Sequence, residues 1–515
     1  MPIVVLAVLA AFLFSLTQSL IGARGGSDHP VHAFLRDGIR SNDGRLFVTI
    51  PRLLNLAHCA ALPLYLHWIM ARLPIGAIGW SERLLNPLVN SAHVVLVAVI
   101  AGCAAQDRGY SGTSVAFVAL LFALTPQFFH ALSARNFGLS ARGIGLVLLT
   151  AFLASSFQAG VSETPWAWWL ITAILGWLIW GFSTFAQQAL VILSALLLVL
   201  GGYWRPAVGA VLGLLLFIAM HREYSLSYLW HTQRFLRSYA GELAPIYIIQ
   251  RRPSIWRDFV RDFWLKPRQA GLQKAVLYVY ENSVLVVLLL NPLSVVAAAN
   301  WIAMERGPGW MGYSITLATA GVLAAFLTSF RPTRFLGEPE RYVEVVTPWS
   351  AICAVGVLQP IMGGKALAVT AGMFFVVNVV QLCASWMLMR RVQTTTDELD
   401  LVGGAIEKRG GARTRFCCNN EQLTKLLMGR NWQFAYFIAA GQNYAGMTAT
   451  QAFSKFPFLN RAACEKVVRS YRVNSLLLDR HVFETVFDVP PADLQSMATI
   501  YESARFRLLA LDWKS

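Results

Sequence analysis

Apolar runs of membrane-crossing length follow one another from the start of the chain to about Arg390, each closed by a short polar stretch. Read with a hydropathy window of about 19 residues, they number about eleven. They lie near 2–22, 86–105, 113–128, 142–158, 165–182, 186–201, 205–220, 279–303, 311–329, 346–362 and 366–389. A very tight turn at Gly201-Gly202-Tyr203-Trp204-Arg205-Pro206 joins two of them. The first run has neither a basic start nor a small-residue cleavage site, so it reads as an anchor rather than a removable signal.

Three regions break this rhythm. Residues 23–85 contain Pro51, Pro63 and Pro74 and amphipathic stretches such as Leu53–Ile69, a pattern for helices lying along the membrane interface. Residues 221–278 mix Arg, Trp, Tyr and Phe, as in Trp256-Arg257-Asp258-Phe259, which suits the headgroup layer. Beyond Arg390 the pattern changes kind. A polar, Gly-rich stretch, 391–412, reads as a linker. After it, Glu421–Met428, Arg461–Tyr471 and Pro491–Ala504 read as helical. Trp432–Ala439, Asn474–Leu478 and Phe506–Leu511 read as strands. Alternating short elements predict a small α/β layer over 413–515. The fold class is therefore an α-helical polytopic membrane protein, residues 1–390, with a small C-terminal α/β domain.

Composition agrees: 56% of residues are hydrophobic and 14% charged, with a mean hydropathy of +0.52, which excludes an ordinary soluble domain. The net charge of +16 changes the picture more. In a soluble protein it would suggest nucleic acid. Here the basic residues fall in loops between apolar runs, so the partner is anionic lipid or a phosphate-bearing ligand, with no nucleic acid. Cys59, Cys103, Cys353 and Cys383 sit in apolar surroundings as inert small hydrophobes, and Cys417-Cys418 are vicinal, a spacing for neither zinc nor an ordinary disulfide.

Four polar loops carry the candidate chemistry. The first follows the first run at once and holds Asp28, His29, His32, Arg36 and Asp37. The second is 133–142, with Arg135, Asn136 and Arg142. The third is Ser183-Thr184-Phe185-Ala186-Gln187-Gln188. The fourth is 330–342, with Arg331, Arg334, Glu338, Glu340 and Arg341. All four follow odd-numbered runs and so share a side of the membrane. A carboxylate among arginines at headgroup depth suits sugar transfer from a lipid phosphate: the carboxylate takes the acceptor's proton and the arginines neutralise the leaving phosphate. The simpler alternatives are that Asp28 only ends a helix and that the arginines anchor helices to headgroups. Five arginines after the first run, from Arg24 to Arg52, would put that loop in the cytoplasm by the positive-inside rule. Phosphate binding explains the same arginines with the loop outside. Glu281 and Asn282 open the eighth run, His93 lies in the second, and Asp107-Arg108 fall on the opposite side. No Ser-His-Asp set, HExxH or nucleotide loop is present.

This layout resembles the GT-C superfamily, the polytopic glycosyltransferases that use polyprenyl-phosphate-linked sugars. The resemblance covers roughly residues 1–390 and rests on Asp28 in the first loop, Ser133-Ala-Arg-Asn-Phe-Gly-Leu139, and Arg334-Phe-Leu-Gly-Glu-Pro-Glu-Arg-Tyr-Val-Glu344. It implies a hexosyl- or pentosyltransferase in a bacterial plasma (inner) membrane, with the site facing the periplasm or exterior. The donor would be a polyprenyl-phosphate sugar and the acceptor a glycan, lipid or protein, as in cell envelope polysaccharide assembly. Asp28 would be the general base, with Asp37 the alternative. Arg135, Arg142, Arg334 and Arg341 would bind the donor phosphate, supported by His29, His32, Glu338 and Glu340. Many members carry two adjacent acids in the first loop, whereas His29 follows Asp28 here. That leaves two options open: a divalent cation with His29 as substitute ligand, or no metal. Two other classes stay open: a polysaccharide polymerase or ligase, which should concentrate its arginines in one large late loop, and a transporter or flippase of lipid-linked saccharides. The latter should show internal repeats and Gly/Pro-broken spans in matching halves, and the sequence shows no repeat.

Overall fold

The computed structural model describes residues 2–22, 29–46, 50, 52–55, 63–108, 111–130, 138–243, 282–303, 309–410, 413–438, 444–453, 458–480 and 498–510. The helices along the chain begin with α1 (Pro2–Gly22), α2 (His29–Ser41), α3 (Tyr65–Ala71), α4 (Ile75–Arg108), α5 (Gly112–Leu124) and α6 (Arg142–Val161). Then come α7 (Pro165–Phe182), α8 (Thr184–Gly201), α9 (Arg205–Met220), α10 (Arg222–Ser238), α11 (Pro292–Ala303), α12 (Trp310–Thr328) and α13 (Pro339–Gly410). The C-terminal part adds α14 (Glu421–Met428), α15 (Ala449–Ala452) and α16 (Arg461–Ser470). Its strands are β1 (Arg415–Cys418), β2 (Ala435–Tyr436), β3 (Ser475–Asp479), β4 (Ala498–Glu502) and β5 (Phe506–Ala510).

The chain forms two units: residues Met1–Gly22, Gly76–Arg222 and Arg252–Met387, and residues Ala23–Ile75, Glu223–Arg251 and Leu388–Ser515. The first is the apolar one. Among the described residues eight helices are long and apolar enough to cross a membrane, and α9 is a shorter apolar helix. The long α13 leaves helical geometry at Gly363 (φ 73°), so it has two arms, 339–362 and 364–410. Another apolar segment is helical in pieces: Ser283–Leu285, a π-turn at Val286–Leu290, and α11 after Pro292. Counting these separately recovers all eleven apolar positions of the hydropathy pattern. The turn read at Gly201–Pro206 is a left-handed helix cap: Gly202 has φ 68°, and the Gly202 and Tyr203 N–H groups donate to Leu198 and Leu197 carbonyls at 3.0 and 3.2 Å.

Inside this unit, helices meet where side chains are small. A β-carbon on Gly213 of α9 would stand 2.5 Å from the Gly176 backbone of α7, and one on Gly209 would stand 2.5 Å from Thr172. Apolar residues cannot drive helices together in lipid, so close backbone approach supplies the attraction. The outward faces remain apolar, with Leu9, Leu13, Trp166, Val369 and Val376 exposed, as lipid contact requires.

The second unit holds a five-stranded sheet in the order β2-β1-β3-β5-β4, parallel from β2 to β3 and antiparallel beyond. Its core packs Cys417, Phe437, Tyr444, Cys464 and Leu476. Asn420 and Asn460 cap α14 and α16, accepting hydrogen bonds from Gln422 N (3.1 Å) and Ala463 N (2.9 Å). Three sequence expectations change here. Residues 498–502, expected as helix, are β4, the edge strand that pairs antiparallel with β5 with a register shift between Thr499 and Tyr501. The stretch 391–410, expected as linker, continues α13. Of Leu53–Ile69, the described helical part is confined to α3.

Candidate active site

The first polar loop falls in the second unit. Asp28 lies outside the described residues, and α2 begins at the next one, His29. One face of α2 is buried through Ala33, Phe34, Leu35, Gly38 and Ile39. His32 Nδ1 meets His67 Nε2 of α3 at 2.7 Å, the two rings stacked 5.0 Å apart. Burial holds the His67 imidazole well below its ordinary value, and the neighbouring His32 and Arg36 charges push the same way. The pair is therefore held by one shared proton, donated by one ring and accepted by the other. Arg36, itself buried, donates from Nε and Nη2 to both oxygens of Asp37 at 2.7 and 3.0 Å. Asp37 is thus engaged by its neighbour. Arg40 ties α2 to the end of α3, donating to the carbonyls of Ala71 (3.1 Å) and Leu73.

The other three polar loops gather at one end of the apolar unit. Arg142 opens α6, its N–H donating to Ser140 Oγ at 3.2 Å. One turn on, a β-carbon on Gly145 would lie 2.6 Å from Ser183, the residue that caps α8 through Ala186 N. A β-carbon on Gly337 would lie 3.8 Å from Gln188 Oε1. Arg341 hydrogen-bonds Glu338 and stands over the Phe185 ring at 5.7 Å, and the Phe185 and Tyr342 rings are 5.8 Å apart. Asn86 holds this end from α4 by donating to the Gly138 carbonyl at 2.5 Å. Glu340 contributes its carbonyl to Gln127 Nε2 at 2.6 Å, and its side chain is half-buried. Arg135 lies outside the described residues, as does the side chain of Arg334.

Two features went unread in the sequence. Glu344, one turn into α13, is buried; an acid just inside an apolar run was the available signal. Below it runs a buried polar chain: Asn291 Nδ2 donates to Gln127 Oε1 (2.8 Å) and Thr347 Oγ1 (2.7 Å), and Ser294 joins Asn291 and Ser350 at 3.1 and 3.0 Å. The Asn291-Pro292 break in an apolar run marked it. His93 is buried and meets Thr150 Oγ1 at 2.9 Å. Among the described residues, no group of three or more His, Cys, Asp or Glu could hold a metal ion.

No family model matches this sequence, and no curated protein matches it. Solved structures do. The crystal structure of the Archaeoglobus fulgidus oligosaccharyltransferase in the apo form matches with a TM-score of 0.53 at 12% identity, over 92% of this chain and 69% of that one. The same protein in complex with Zn and sulfate matches with a TM-score of 0.53 at 12% identity, over 92% and 68%. ArnT from Cupriavidus metallidurans bound to undecaprenyl phosphate matches over 98% of this chain and 97% of that one, at 14% identity and a TM-score of 0.46. The chain therefore shares the polytopic α-helical fold of the oligosaccharyltransferase, with the small C-terminal sheet expected from the sequence, and it is an integral membrane protein.

Proposed function

We propose that this chain is a membrane glycosyltransferase that moves a sugar from a polyprenyl-phosphate donor to an acceptor hydroxyl on the extracytoplasmic side. One observation carries the reading: three arginine- and amide-bearing loops gather at one end of an apolar helical unit whose chain shares its fold with an oligosaccharyltransferase. Such an end, at headgroup depth, is where a lipid-anchored phosphate lies.

In the proposed reaction Asp28 accepts the acceptor's proton as the acceptor oxygen bonds to the anomeric carbon. The bond from that carbon to the phosphate oxygen breaks, and its electron pair leaves with the polyprenyl phosphate. Arg142 and Arg341, with Arg135 and Arg334, neutralise the charge that grows on that phosphate. Glu338 orients Arg341 through their hydrogen bond. Asp37 is the second choice as base, because Arg36 engages both its oxygens. The sugar is a hexose or pentose, and the setting is assembly of a cell envelope glycan in a bacterial inner membrane.

Reconstituted protein given a radiolabelled polyprenyl-phosphate sugar should transfer label to acceptor, and Asp28→Asn should lose about 10² to 10⁴ of the rate while staying folded. Transfer from nucleotide sugar alone would overturn the donor. A near-normal Asp28→Asn beside an inactive Asp37→Asn would move the base.

A further inference from the structure

The described residues of the C-terminal α/β domain pack closely around the first loop. Helix α2 packs on the domain at three points. Pro30 lies against Gly429, where a β-carbon would stand 2.6 Å from the proline. Phe34 meets Trp432 at a tilt, ring centres 4.6 Å apart, and Tyr436 edge-on at 5.7 Å. Gly38 lies against the Trp432 indole so closely that a β-carbon there would overlap the ring. The loop then adds to the sheet. Leu54 N donates to Tyr436 O and Tyr436 N to Arg52 O, both at 2.8 Å, so residues 52–55 extend the edge beyond β2. Asn55 closes this edge from both sides, donating to Ile438 O (2.6 Å) and accepting from Ile438 N (3.0 Å). An open sheet edge is a template for one more strand, and here the chain's own first loop takes that place.

We infer that the C-terminal domain is a positioning scaffold for the first loop: it fixes α2, the helix that follows Asp28 in the chain. This rests on the reading of Asp28 as base. Gly38, Trp432 and Asn55 are positioning residues, acting through α2. A helix moves as a rigid body, so a push at Gly38 in its third turn is delivered at its first. Misplacing a reacting group by about 1 Å costs about 10²-fold in rate.

The test compares kcat and KM for the lipid-linked donor in Gly38→Ala, Gly38→Ala/Trp432→Phe and Asn55→Ala, with detergent-state thermal unfolding measured alongside. Gly38→Ala should lower kcat by about 10²-fold and leave KM within about two-fold. The smaller ring of Trp432→Phe should restore about tenfold of it, a rescue that general destabilisation would not give. Asn55→Ala adds no volume and carries the same kcat expectation if Gly38→Ala does not fold. Asp28→Asn is assayed in parallel. If it is inactive while Gly38→Ala and Asn55→Ala keep kcat within about two-fold of wild type, this inference fails and the proposed base stands.

Discussion

At the residue scale, the first loop's histidines had a second meaning that the sequence did not display. His32 was read as a supporting group beside Asp28; in the structure its partner is His67, 35 positions away, at 2.7 Å. The spacing along the chain carries no sign of this, because the contact is made by two helices folding together. It has a consequence for pH. His67 is held below its ordinary value of 6.5, so the folded state binds its proton less readily than the unfolded chain. Between the two values the unfolded state carries more protons, and stability rises with pH there. The advantage is complete above about pH 6.5 and is lost as pH falls from that point toward the folded value. Thermal unfolding in detergent should therefore drop between pH 7.5 and pH 5, and His67→Phe should flatten that slope. A slope unchanged in His67→Phe would place the pH dependence elsewhere.

At the element scale, the break after α5 shows how irregular backbone survives inside an apolar unit. Thr125-Pro126 ends the helix, and a 3₁₀ turn, Pro126–Phe129, follows. The carbonyls this frees are met by buried side-chain amides: Asn378 donates to Leu124 O, Gln381 to Pro126 O and Gln18 to Phe129 O, each at 2.8 Å. Lipid offers no hydrogen bonds, so each amide is the carbonyl's substitute for water. Gln381→Leu keeps the bulk and removes the donor. It should lower unfolding stability by about 1 kcal/mol, up to about 3 if no neighbour compensates. Equal stability of Gln381→Leu and wild type in chemical unfolding would show that the carbonyl finds another partner. The sequence marked the break but not its partners, which come from helices more than a hundred residues away.

At the scale of the whole molecule, contacts within the second unit constrain topology. The first loop bonds directly to the tail through residues 52–55 and 436–438. It also bonds to α10, where Leu64 N donates to Tyr224 Oη at 3.0 Å. Groups that hydrogen-bond lie on one side of a bilayer, so the crossings between them are even in number. Among the described residues, seven apolar helical segments precede α10 and eleven precede the tail, with each arm of α13 counted separately and the pieces around α11 counted as one. Both counts are odd, which is what a first loop after one crossing requires. Cys417 and Cys418 are buried, so neither serves as a label site. Cysteines placed at exposed Asn42 and Thr450 should react with a membrane-impermeant maleimide from the same side, the exterior in the proposed reading. Labelling from opposite sides would break the parity and, with it, the scaffold role of the tail.

The apolar period alone determined that this chain is polytopic, where its runs lie and that a different kind of domain follows them. Burial of about twenty consecutive apolar residues in lipid is a local property that each run satisfies by itself. Local chemistry also marked the Gly202 turn, the helices Glu421–Met428 and Arg461–Ser470, and the loops rich in arginine. What only the tertiary structure decided is which groups meet. Arg341 with Glu338 could have been guessed from their spacing of three. Arg341 over Phe185, Gly145 against Ser183 and Gly38 against Trp432 could not. Residues 498–502 became a strand for the same reason: short segments of mixed character take the state their neighbour offers, and β5 offered a ladder. The joining of the first loop to the tail, between residues 383 positions apart, depends on a sheet edge that exists only once the domain has folded.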